Sequence, residues 1–572
     1  MNIQTEHRQP TTGTTAYDEV YYPGHVYGLT HPNHLATIAS VYGMQPAPVE
    51  RCRVLELGCG VGGNLLPMAF QYPDSEFIGI DLSGATIERG QRNITALGLS
   101  NIRLLHCDIM DVDAAFGQFD YIIAHGVYSW VPPIVREKMM SIFKRNLAPK
   151  GLCYVSYNAH PFSHLRDMVR DMMRYHTRRI TGMKEKVGQA RAIVKFLSEG
   201  SKSNSVHGAV MRDQCTRVLN APDELLFHDD LDSGATAFLL HEVVEDAGRH
   251  GLQYLSDADF SRRYLAGYTE EVRATLQRFP ESEFMARDQY QDFIDGNGFR
   301  RTLLCHEGIS LDRKVDLDFI TAFYLLSTAS PRRPDACLTD DSEMEFENQD
   351  GSRITVTNPL LKAAHLCLGR AWPRALSFTE LLYGARTLLE GRQTGDDRRI
   401  LTEALYILAC SGEVSFLKSR PFLVKEVTDC PQASLLARRQ ALSGPLVTNL
   451  LHQTVQLEDD RTRHFLQLLD GSRTIEQITA EMTETFGPTI QVKQMDDAGQ
   501  PTAPLLLSTR QSVDRSLASV GKLGCWLPEA FDGVGLGKDV AAGSRAASQF
   551  VERKPLRPIS RRGCIVGQGA IR

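Results

Sequence analysis

A glycine-rich turn is the segment of this chain whose residue types point most directly to chemistry. It joins a short apolar run to a helix expected to start near Asn64, and residues 54–63 read VLELGCGVGG. Glycines let a backbone approach a bound nucleotide-like ligand closely. At Cys59 the turn needs a small side chain rather than a reactive thiolate. The turn therefore predicts a ligand site, with candidate contacts at Gly58, Gly60 and Gly62.

Three acidic residues indicate which kind of ligand the turn binds. The dinucleotide fingerprint also fits, at Gly58, Gly60 and Gly63, and Asp81 ends the next apolar run where a ribose-binding acid would stand. A nicotinamide site has no standard need for Glu56, two residues before the first glycine, or for Asp108 in the segment HCDI. Acidic side chains repel a pyrophosphate and attract a cationic ligand. The chain also lacks the Tyr-x-x-x-Lys pattern of short-chain dehydrogenases.

The elements that must position these residues follow a βαβ pattern from about Arg51 to Tyr157. Short apolar runs alternate with helical stretches there, and helices are expected at 85–97 and 133–146; the runs are RVLELG, EFIGID, IRLLHCD, FDYIIAHG and LCYVSYN. Such spacing is typical of a parallel sheet covered by helices. We predict an α/β, Rossmann-like doubly wound domain at 51–160, preceded by a helical, substrate-side segment at 1–50.

The rest of the chain is expected to be mostly helical. A helical regulatory region is predicted at 161–315, within which RRTLLCHEGISL has strand character and is expected to return to the sheet. A connecting helix at 316–338, an acidic linker at 339–357 and a helical C-terminal domain at 358–490 follow. The remaining residues, 491–572, are predicted to form a polar, disordered tail, most clearly after Gly524, where Gly, Ala and Arg are frequent.

Composition excludes several classes of protein. The 572 residues are 42% hydrophobic and 23% charged with a net charge of −6, which argues against wholesale disorder and against a nucleic-acid partner. No run of 18 apolar residues and no basic, apolar leader occurs, so membrane insertion is not expected. Twelve cysteines without a Cys-x-x-Cys pair indicate reduced thiols, and we predict a cytoplasmic protein.

S-adenosylmethionine is a phosphate-free ligand with positive charge, since it carries a sulfonium and an ammonium group. The motifs ELGCGVGG, IGIDLS and CDI together resemble those of the class I methyltransferases. This resemblance implies that Asp81 holds the ribose hydroxyls, that Asp108 holds the adenine amine and that Glu56 faces the methionine end. The implied cofactor contacts also include Leu82, Ile109 and His125. Turn glycines and capping acids in another Rossmann-like protein are the alternative.

Further motifs resemble the bacterial methyltransferases that carry a methyltransferase regulatory domain, among them the rickettsial outer-membrane-protein lysine methyltransferases. They extend over about 17–480 and include YDEVYYPGHVYGLTHPNHLATIA, HGVYSWVP, YNAHPFSHLRDMVRDMMRYH, HEVVEDAGRHGLQYL, QYQDFIDGNGFRRTLLC and VTNLLHQTVQLEDD. The resemblance implies a protein-lysine acceptor. The chain departs from the family at Pro161-Phe162-Ser163, where Pro-Gly-Trp is expected, and this affects the acceptor pocket.

The acceptor side is expected where the fourth and fifth strands end, because ligands lie at the carboxyl ends of such strands. Tyr128, Trp130 and Tyr157 are candidates to enclose an ammonium with their ring faces, and His125 is a candidate proton acceptor. Core packing of the aromatic residues and a strand-capping role for His125 are the alternatives. A small-molecule acceptor and a regulator that binds the cofactor without turnover are left open, and a homodimer is a possible assembly.

Two other patterns carry weaker predictions. One predicted helix carries a row of arginines spaced four residues apart: Arg166, Arg170, Arg174 and Arg178. Acidic residues stand three positions before two of these arginines, which favours a solvated, ion-paired face over a docking site for an acidic partner. No metal site is expected, because the HEVVE segment at 241–245 lacks a second histidine. Methylation of a nucleic-acid base is also disfavoured, since no Asn- or Asp-Pro-Pro-aromatic turn follows the fourth strand.

Overall fold

A seven-stranded sheet forms the centre of the protein. The computed structural model describes residues 24–522 apart from 232–234, 315–316, 334–336, 392–395, 422, 424–426, 458 and 493–504. The strands of the sheet are β1 (Arg53–Leu57), β2 (Glu76–Asp81), β3 (Ile102–His106), β4 (Phe119–Ala124), β5 (Leu147–Asn158), β6 (Leu252–Asp257) and β7 (Phe299–His306). Their order is β3-β2-β1-β4-β5-β7-β6. The first five are parallel, and β7 runs antiparallel to both β5 and β6.

Helices cover both faces of this sheet. Those around its parallel part are α1 (Pro32–Val41), α2 (Leu65–Gln71), α3 (Gly84–Leu97) and α4 (Pro133–Asn146). Successive residues of β1 point to opposite faces, so Val54 packs in one apolar cluster with α1, α2 and α3, whereas Leu55 packs in another with α4. The predicted doubly wound domain is confirmed, and its strand ends meet at one edge where polar residues gather.

Local sequence sets the helix that follows β2. The Ser83 side chain accepts from the backbone N–H of Thr86 at 3.2 Å and caps the start of α3, and Gly98 ends that helix with a φ of +65°. The cap fixes where the chain turns after Asp81, so the carboxylate stays at the sheet edge.

The regulatory region is partly helical and partly sheet. Its helices are α5 (Ser163–Thr177), α6 (Met183–Gly200), α7 (Val206–Asn220), α8 (Asp223–Leu226), a π-helical turn (Phe227–Leu231), α9 (Leu240–Arg249), α10 (Glu270–Gln277) and α11 (Phe284–Asp295). Helices α5 to α7 enclose a small apolar core of their own. The return of 299–306 to the sheet is confirmed by its pairing with β5, whereas the prediction missed β6, which lies in a stretch expected to be helical.

Two short β-structures replace elements predicted between the domains. The expected connecting helix at 316–338 is wrong: a 3₁₀ turn at Leu317–Ala322 is followed by β8 (Tyr324–Leu326) and β9 (Ser330–Pro331). The acidic segment at 339–357 contains a hairpin of β10 (Met344–Glu347) and β11 (Arg353–Val356). Phe346 on β10 is fully buried although its neighbours are charged, because successive side chains of a strand point to opposite faces. The acidity of this segment predicted a linker, but the buried ring anchors it as a strand.

The C-terminal part continues helical but contains more strands than predicted. Its remaining elements are α12 (Pro359–Ala371), β12 (Leu376–Ser377), α13 (Phe378–Leu388), α14 (Asp397–Cys410), β13 (Ser415–Leu417), α15 (Leu435–Ser443), β14 (Leu446–Thr448), β15 (Thr454–Gln456), α16 (Asp460–Leu468), α17 (Ile475–Phe486), β16 (Thr489–Val492), β17 (Leu505–Ser508) and α18 (Thr509–Lys522).

The predicted tail starts too early in the sequence. Strands β16 and β17 pair within 491–572, and Val513 and Leu517 of α18 pack in one apolar core with α15, α16 and α17. The part after Gly524, where disorder was predicted most clearly, lies outside the described residues. Among the helices that are described, none combines the length and the apolar character needed to cross a membrane.

Candidate functional site

The glycine turn has the backbone conformation that its sequence predicts. Gly58, Gly60 and Gly62 have φ values of +72°, +55° and +72°, which residues with a Cβ rarely adopt. A Cβ at Gly58 would lie 2.7 Å from Cγ2 of Val127, but one at Gly60 would have no atom within 4 Å. The turn is thus packed on its inner side and open at Gly60, as a ligand-binding turn must be.

Glu56 places a buried carboxylate behind this turn. Its Oε1 accepts from Asn64 Nδ2 at 2.9 Å, while its Oε2 is buried without a hydrogen-bond partner among the described residues. Burial raises the pKa of Glu56 to about 8, and Asp81 adds to this while the bond from Asn64 opposes it. A buried carboxylate with an unused oxygen is suited to a cationic group of a ligand.

Asp81 closes the turn from the neighbouring strand. Its Oδ2 accepts from the backbone N–H of Gly60 at 2.8 Å, and its Oδ1 accepts from that of Ser83 at 2.9 Å. These bonds fix the carboxylate beside the open position of the turn. A carboxylate held at this edge suits the hydroxyl groups of a ligand.

The end of β3 provides the next part of the site. Asp108 Oδ1 accepts from the backbone N–H of Met110 at 2.9 Å and caps a 3₁₀ turn that contains Ile109. Leu82 and Met110 are 48% and 38% exposed. Apolar side chains exposed beside fixed carboxylates suit a planar ring with a polar edge, such as adenine.

Residues 24–31, which belong to the segment predicted to lie on the substrate side, lie across the turn. A Cβ at Gly63 would lie 2.8 Å from the backbone of Gly24, so the two segments touch through glycine. The backbone N–H of Tyr27 donates to Asn64 Oδ1 at 3.1 Å. The Tyr27 ring stacks on that of His125 with centroids 3.7 Å apart. Tyr27 is therefore a site residue, and only its place in the motif YDEVYYPGHVYG pointed to it.

His125 holds the end of β4. Its Nδ1 lies 3.0 Å from the Tyr154 hydroxyl, and its ring contacts Phe299 of β7 with centroids 5.9 Å apart. Burial lowers the pKa of His125 to about 3, with Arg301 adding to the effect. A neutral, stacked imidazole at the end of β4 favours the strand-capping alternative over proton acceptance.

The structure does not place the three aromatic residues that were predicted to enclose an ammonium, Tyr128, Trp130 and Tyr157, around one open pocket. The hydroxyl of Tyr128 donates to Asp246 at 2.6 Å, that of Tyr157 lies 2.8 Å from the Thr302 hydroxyl, and both rings are fully buried. The structure therefore favours core packing for these two residues. Trp130 is partly exposed, with the Arg170 guanidinium 5.6 Å from its ring.

The first two arginines of the row on α5, Arg166 and Arg170, have a structural role. Arg170 is only 3% exposed and pairs with Asp167 at 2.9 Å, and Arg166 pairs with the buried Asp230 at 2.9 Å. The ion pairing that was predicted is therefore present, but Arg170 is buried rather than solvated. The described residues contain no cluster of side chains that could hold a metal ion.

The geometry fits S-adenosylmethionine in three respects. The unpartnered Glu56 Oε2 suits its ammonium group, Asp81 suits its ribose hydroxyls, and the space at Gly60 leaves room for a ligand. The strand order and this site define a class I S-adenosylmethionine-dependent methyltransferase. Family models agree: "Methyltransferase domain" matches residues 54–151, and "Predicted methyltransferase regulatory domain" matches 222–306. A third, "PKMT, C-terminal winged helix domain", matches 429–502.

The chain belongs to a family of such methyltransferases with known relatives in Rickettsia. Uncharacterized protein RP789 of Rickettsia prowazekii is 34% identical over 456 residues, which cover 78% of this chain and 82% of the relative. The solved structure of PKMT2 from Rickettsia typhi superposes with a TM-score of 0.80 at 27% identity, covering 89% of this chain and all of that one. A structure of PKMT2 in complex with AdoHcy gives a TM-score of 0.79, with coverages of 88% and 99%.

Proposed function

We propose that this methyltransferase transfers a methyl group to lysine side chains of a protein acceptor. The observation that carries the proposal is the stacked pair of Tyr27 and His125 beside the cofactor turn, together with the charge of Asp229 that acts on the Tyr27 hydroxyl. Burial, Glu56 and Asp229 together raise the pKa of the Tyr27 hydroxyl to about 12. The Tyr27 hydroxyl is thus within the electrostatic influence of both carboxylates, which suits a cationic amine.

Asp229 comes from the regulatory domain and was not among the predicted site residues. It lies in a π-helical turn, a rare conformation that is frequent at functional sites. Arg166 and Arg170 bind its backbone carbonyl at 3.3 and 2.9 Å, whereas they and Arg217 pair with the carboxylate of its neighbour Asp230. These contacts leave the Asp229 carboxylate able to meet a cation. Burial raises its pKa, which makes it a better proton acceptor than an exposed aspartate.

The proposed roles follow from these positions. Glu56 receives the ammonium of the cofactor, Asp81 and Asp108 its ribose and adenine, and Leu82, Ile109 and the glycines surround it. S-adenosylmethionine, when bound, supplies an electrophilic methyl group on sulfur. Asp229 takes the proton of the lysine ammonium, the freed nitrogen lone pair forms the bond to the methyl carbon, and the carbon–sulfur bonding pair stays on sulfur.

Two findings support a protein acceptor over a small molecule. A family model described as a PKMT winged helix domain matches the C-terminal part, and the PKMT2 structure covers most of the chain. Large additional domains beside the site offer the extended surface that a macromolecular acceptor needs. We propose a cytoplasmic enzyme of a bacterium on the same basis, with no nucleic-acid partner; a homodimer would be one way to extend this surface.

The test is to incubate the protein with methyl-labelled S-adenosylmethionine and bacterial lysate, then to separate proteins, nucleic acids and small molecules. Label that survives base treatment and maps to lysine supports the proposal. Label among small molecules favours the first alternative, and cofactor binding with no label anywhere favours a regulator.

The acceptor site itself is tested with Asp229→Asn. We expect a loss of about tenfold or more in kcat/KM, because general-base contributions are typically of that order or larger, with unchanged cofactor affinity. Asp171→Asn, which changes an exposed carboxylate on α5, is the control. Equal activities for the two variants would remove Asp229 from the site.

A further inference from the structure

A turn of the C-terminal domain reaches the cofactor site from behind. Residues 449–453, named here the docking turn, connect β14 to β15. Asn449 shapes this turn, because its Oδ1 accepts from the backbone N–H groups of Leu451 and Gln453 at 3.0 and 2.9 Å. The turn lies against α2, where Gln71 Nε2 donates to the carbonyl of Leu450 at 2.7 Å.

His452 lies at the tip of the docking turn and contacts Asn64, the residue that bonds Glu56. Its Nε2 is 2.9 Å from Asn64 Oδ1. That oxygen also accepts from the backbone N–H of Tyr27, which identifies it as the acceptor of the amide, so His452 must donate. Burial lowers the pKa of His452 well below its ordinary value, so the ring is neutral with its proton on Nε2.

The backbone of His452 supports a specific role. Its φ is +57°, a left-handed conformation that is uncommon outside glycine. Residues held in this way often occur where a fixed geometry is needed. Here the conformation directs the imidazole, which is buried, towards the start of α2.

We propose that His452 is a positioning residue for the cofactor: through the Asn64 amide it holds the Glu56 carboxylate in the orientation that receives the ammonium of S-adenosylmethionine. With Asn64 Oδ1 bound by His452 and Tyr27, the amide can donate only towards Thr30 and Glu56. The C-terminal domain thereby contributes to cofactor affinity without touching the cofactor. The inference rests on the role proposed for Glu56 and is independent of the acceptor.

The test separates the side chain of His452 from its backbone. His452→Gly removes the donor and accepts the positive φ, so the docking turn is expected to keep its shape. Calorimetric binding of S-adenosylmethionine should weaken about five- to tenfold, as the loss of one hydrogen bond predicts. His452→Asn, which tolerates this φ and keeps a donor, should recover part of the loss. Gln71→Ala removes another contact of the docking turn and should leave affinity within twofold.

A double-mutant cycle with Asn64→Ala identifies the route of the effect. If His452 acts through Asn64, His452→Gly has no further effect on affinity once Asn64 is alanine. Additive losses overturn the proposal, as does an equal loss in Gln71→Ala, which would indicate general docking of the domain. The Glu56→Gln variant separates the role proposed for Glu56 from the role proposed for His452. Full cofactor affinity in Glu56→Gln refutes the role of Glu56. A loss of affinity in Glu56→Gln with full affinity in His452→Gly refutes only the positioning role of His452.

Hydrogen exchange provides a readout that does not depend on turnover. In the ligand-free protein, His452→Gly should increase exchange at 58–66 and leave α3 unchanged. Because coupling is reciprocal, S-adenosylmethionine should slow exchange at 449–453 in the wild type and not in His452→Gly. Equal protection of 449–453 by the cofactor in both proteins would contradict the coupling.

Discussion

Replacing Glu56 by Gln should have opposite effects on the stability of the free protein and on cofactor binding. The side chain keeps its shape and its acceptor oxygen for Asn64, but it loses the ability to ionise. In the free protein the carboxyl is buried beside Asp81 and the pKa of Glu56 is raised from 4.5 to about 8. Between these values the folded protein retains a proton that the unfolded chain has released.

The sign and size of the stability effect follow from this difference. A raised carboxyl pKa makes the folded state most favourable at low pH, and stability is lost as pH rises from about 4.5 to 8. Each unit of pKa difference corresponds to about 1.4 kcal/mol, and integration from pH 5 to pH 8 gives a loss of about 3–4 kcal/mol. The Glu56→Gln variant lacks this pH dependence. Its free energy of unfolding relative to that of the wild type should therefore rise by this amount between pH 5 and pH 8.

Differential scanning calorimetry of both proteins from pH 5 to pH 8 measures the effect. The difference in Tm should change steadily in favour of Glu56→Gln as pH rises. Addition of S-adenosylmethionine should raise the Tm of the wild type far more, because the variant loses a charge-assisted bond worth about 1.5–3 kcal/mol, or about ten- to hundredfold in affinity. Glu88→Gln, an exposed carboxyl on α3, is the control. Parallel Tm curves for wild type and Glu56→Gln would refute the buried, ligand-facing carboxylate.

Three further changes test the site and the scaffold. Asp81→Ala should weaken S-adenosylmethionine binding by about 1.5–3 kcal/mol per lost charge-assisted bond, and calorimetric affinity equal to wild type would contradict the ribose placement. Asp292→Ala should destabilise by about 3 kcal/mol, since the buried Arg300 loses its 2.8 Å partner and keeps only Asp257, at 3.4 Å, as a carboxylate partner among the described residues, and thermal unfolding measures this. Phe346→Ala should cost about 3–5 kcal/mol in the same assay, whereas an unaffected Tm would mean that β10 is not anchored by its ring.

The sequence predicted the parts of the fold that depend on local pattern. Alternating apolar runs and helices indicated the doubly wound domain, and the glycine turn showed where its ligand edge lies, because neighbouring residues determine both. Strand β6 was missed since its burial comes from pairing with β7, which is distant in sequence. The sequence of the hairpin at 344–356 indicates a linker, because charged residues on its outer face outnumber the buried Met344, Phe346 and Val356.

The residues of the site divide in the same way into those that local sequence predicts and those that it does not. Glu56, Asp81 and Asp108 stand at strand ends and are visible as motif positions, whereas Tyr27, Asp229 and His452 reach the site from segments far apart in the chain. The aromatic residues after β4 and β5 looked like ligand walls, yet the hydroxyls of Tyr128 and Tyr157 are bound to partners inside the core. Sequence type alone does not distinguish a ring that faces a ligand from one that packs under it.

The positions of Tyr27, Asp229 and His452 indicate how the domains beyond the sheet would contribute to the proposed site. The segment that contains Tyr27 lies over the glycine turn, the regulatory domain contains Asp229, whose charge contributes to the raised pKa of Tyr27, and the C-terminal domain contacts Asn64 through His452. On the proposed roles, the N-terminal segment and the C-terminal domain act on the cofactor side of the site around Glu56 and Asn64, and the regulatory domain acts on the acceptor side through Asp229. An isolated fragment ending at residue 315 would lack the Asn64 support, so we expect it to bind S-adenosylmethionine more weakly than the full chain does.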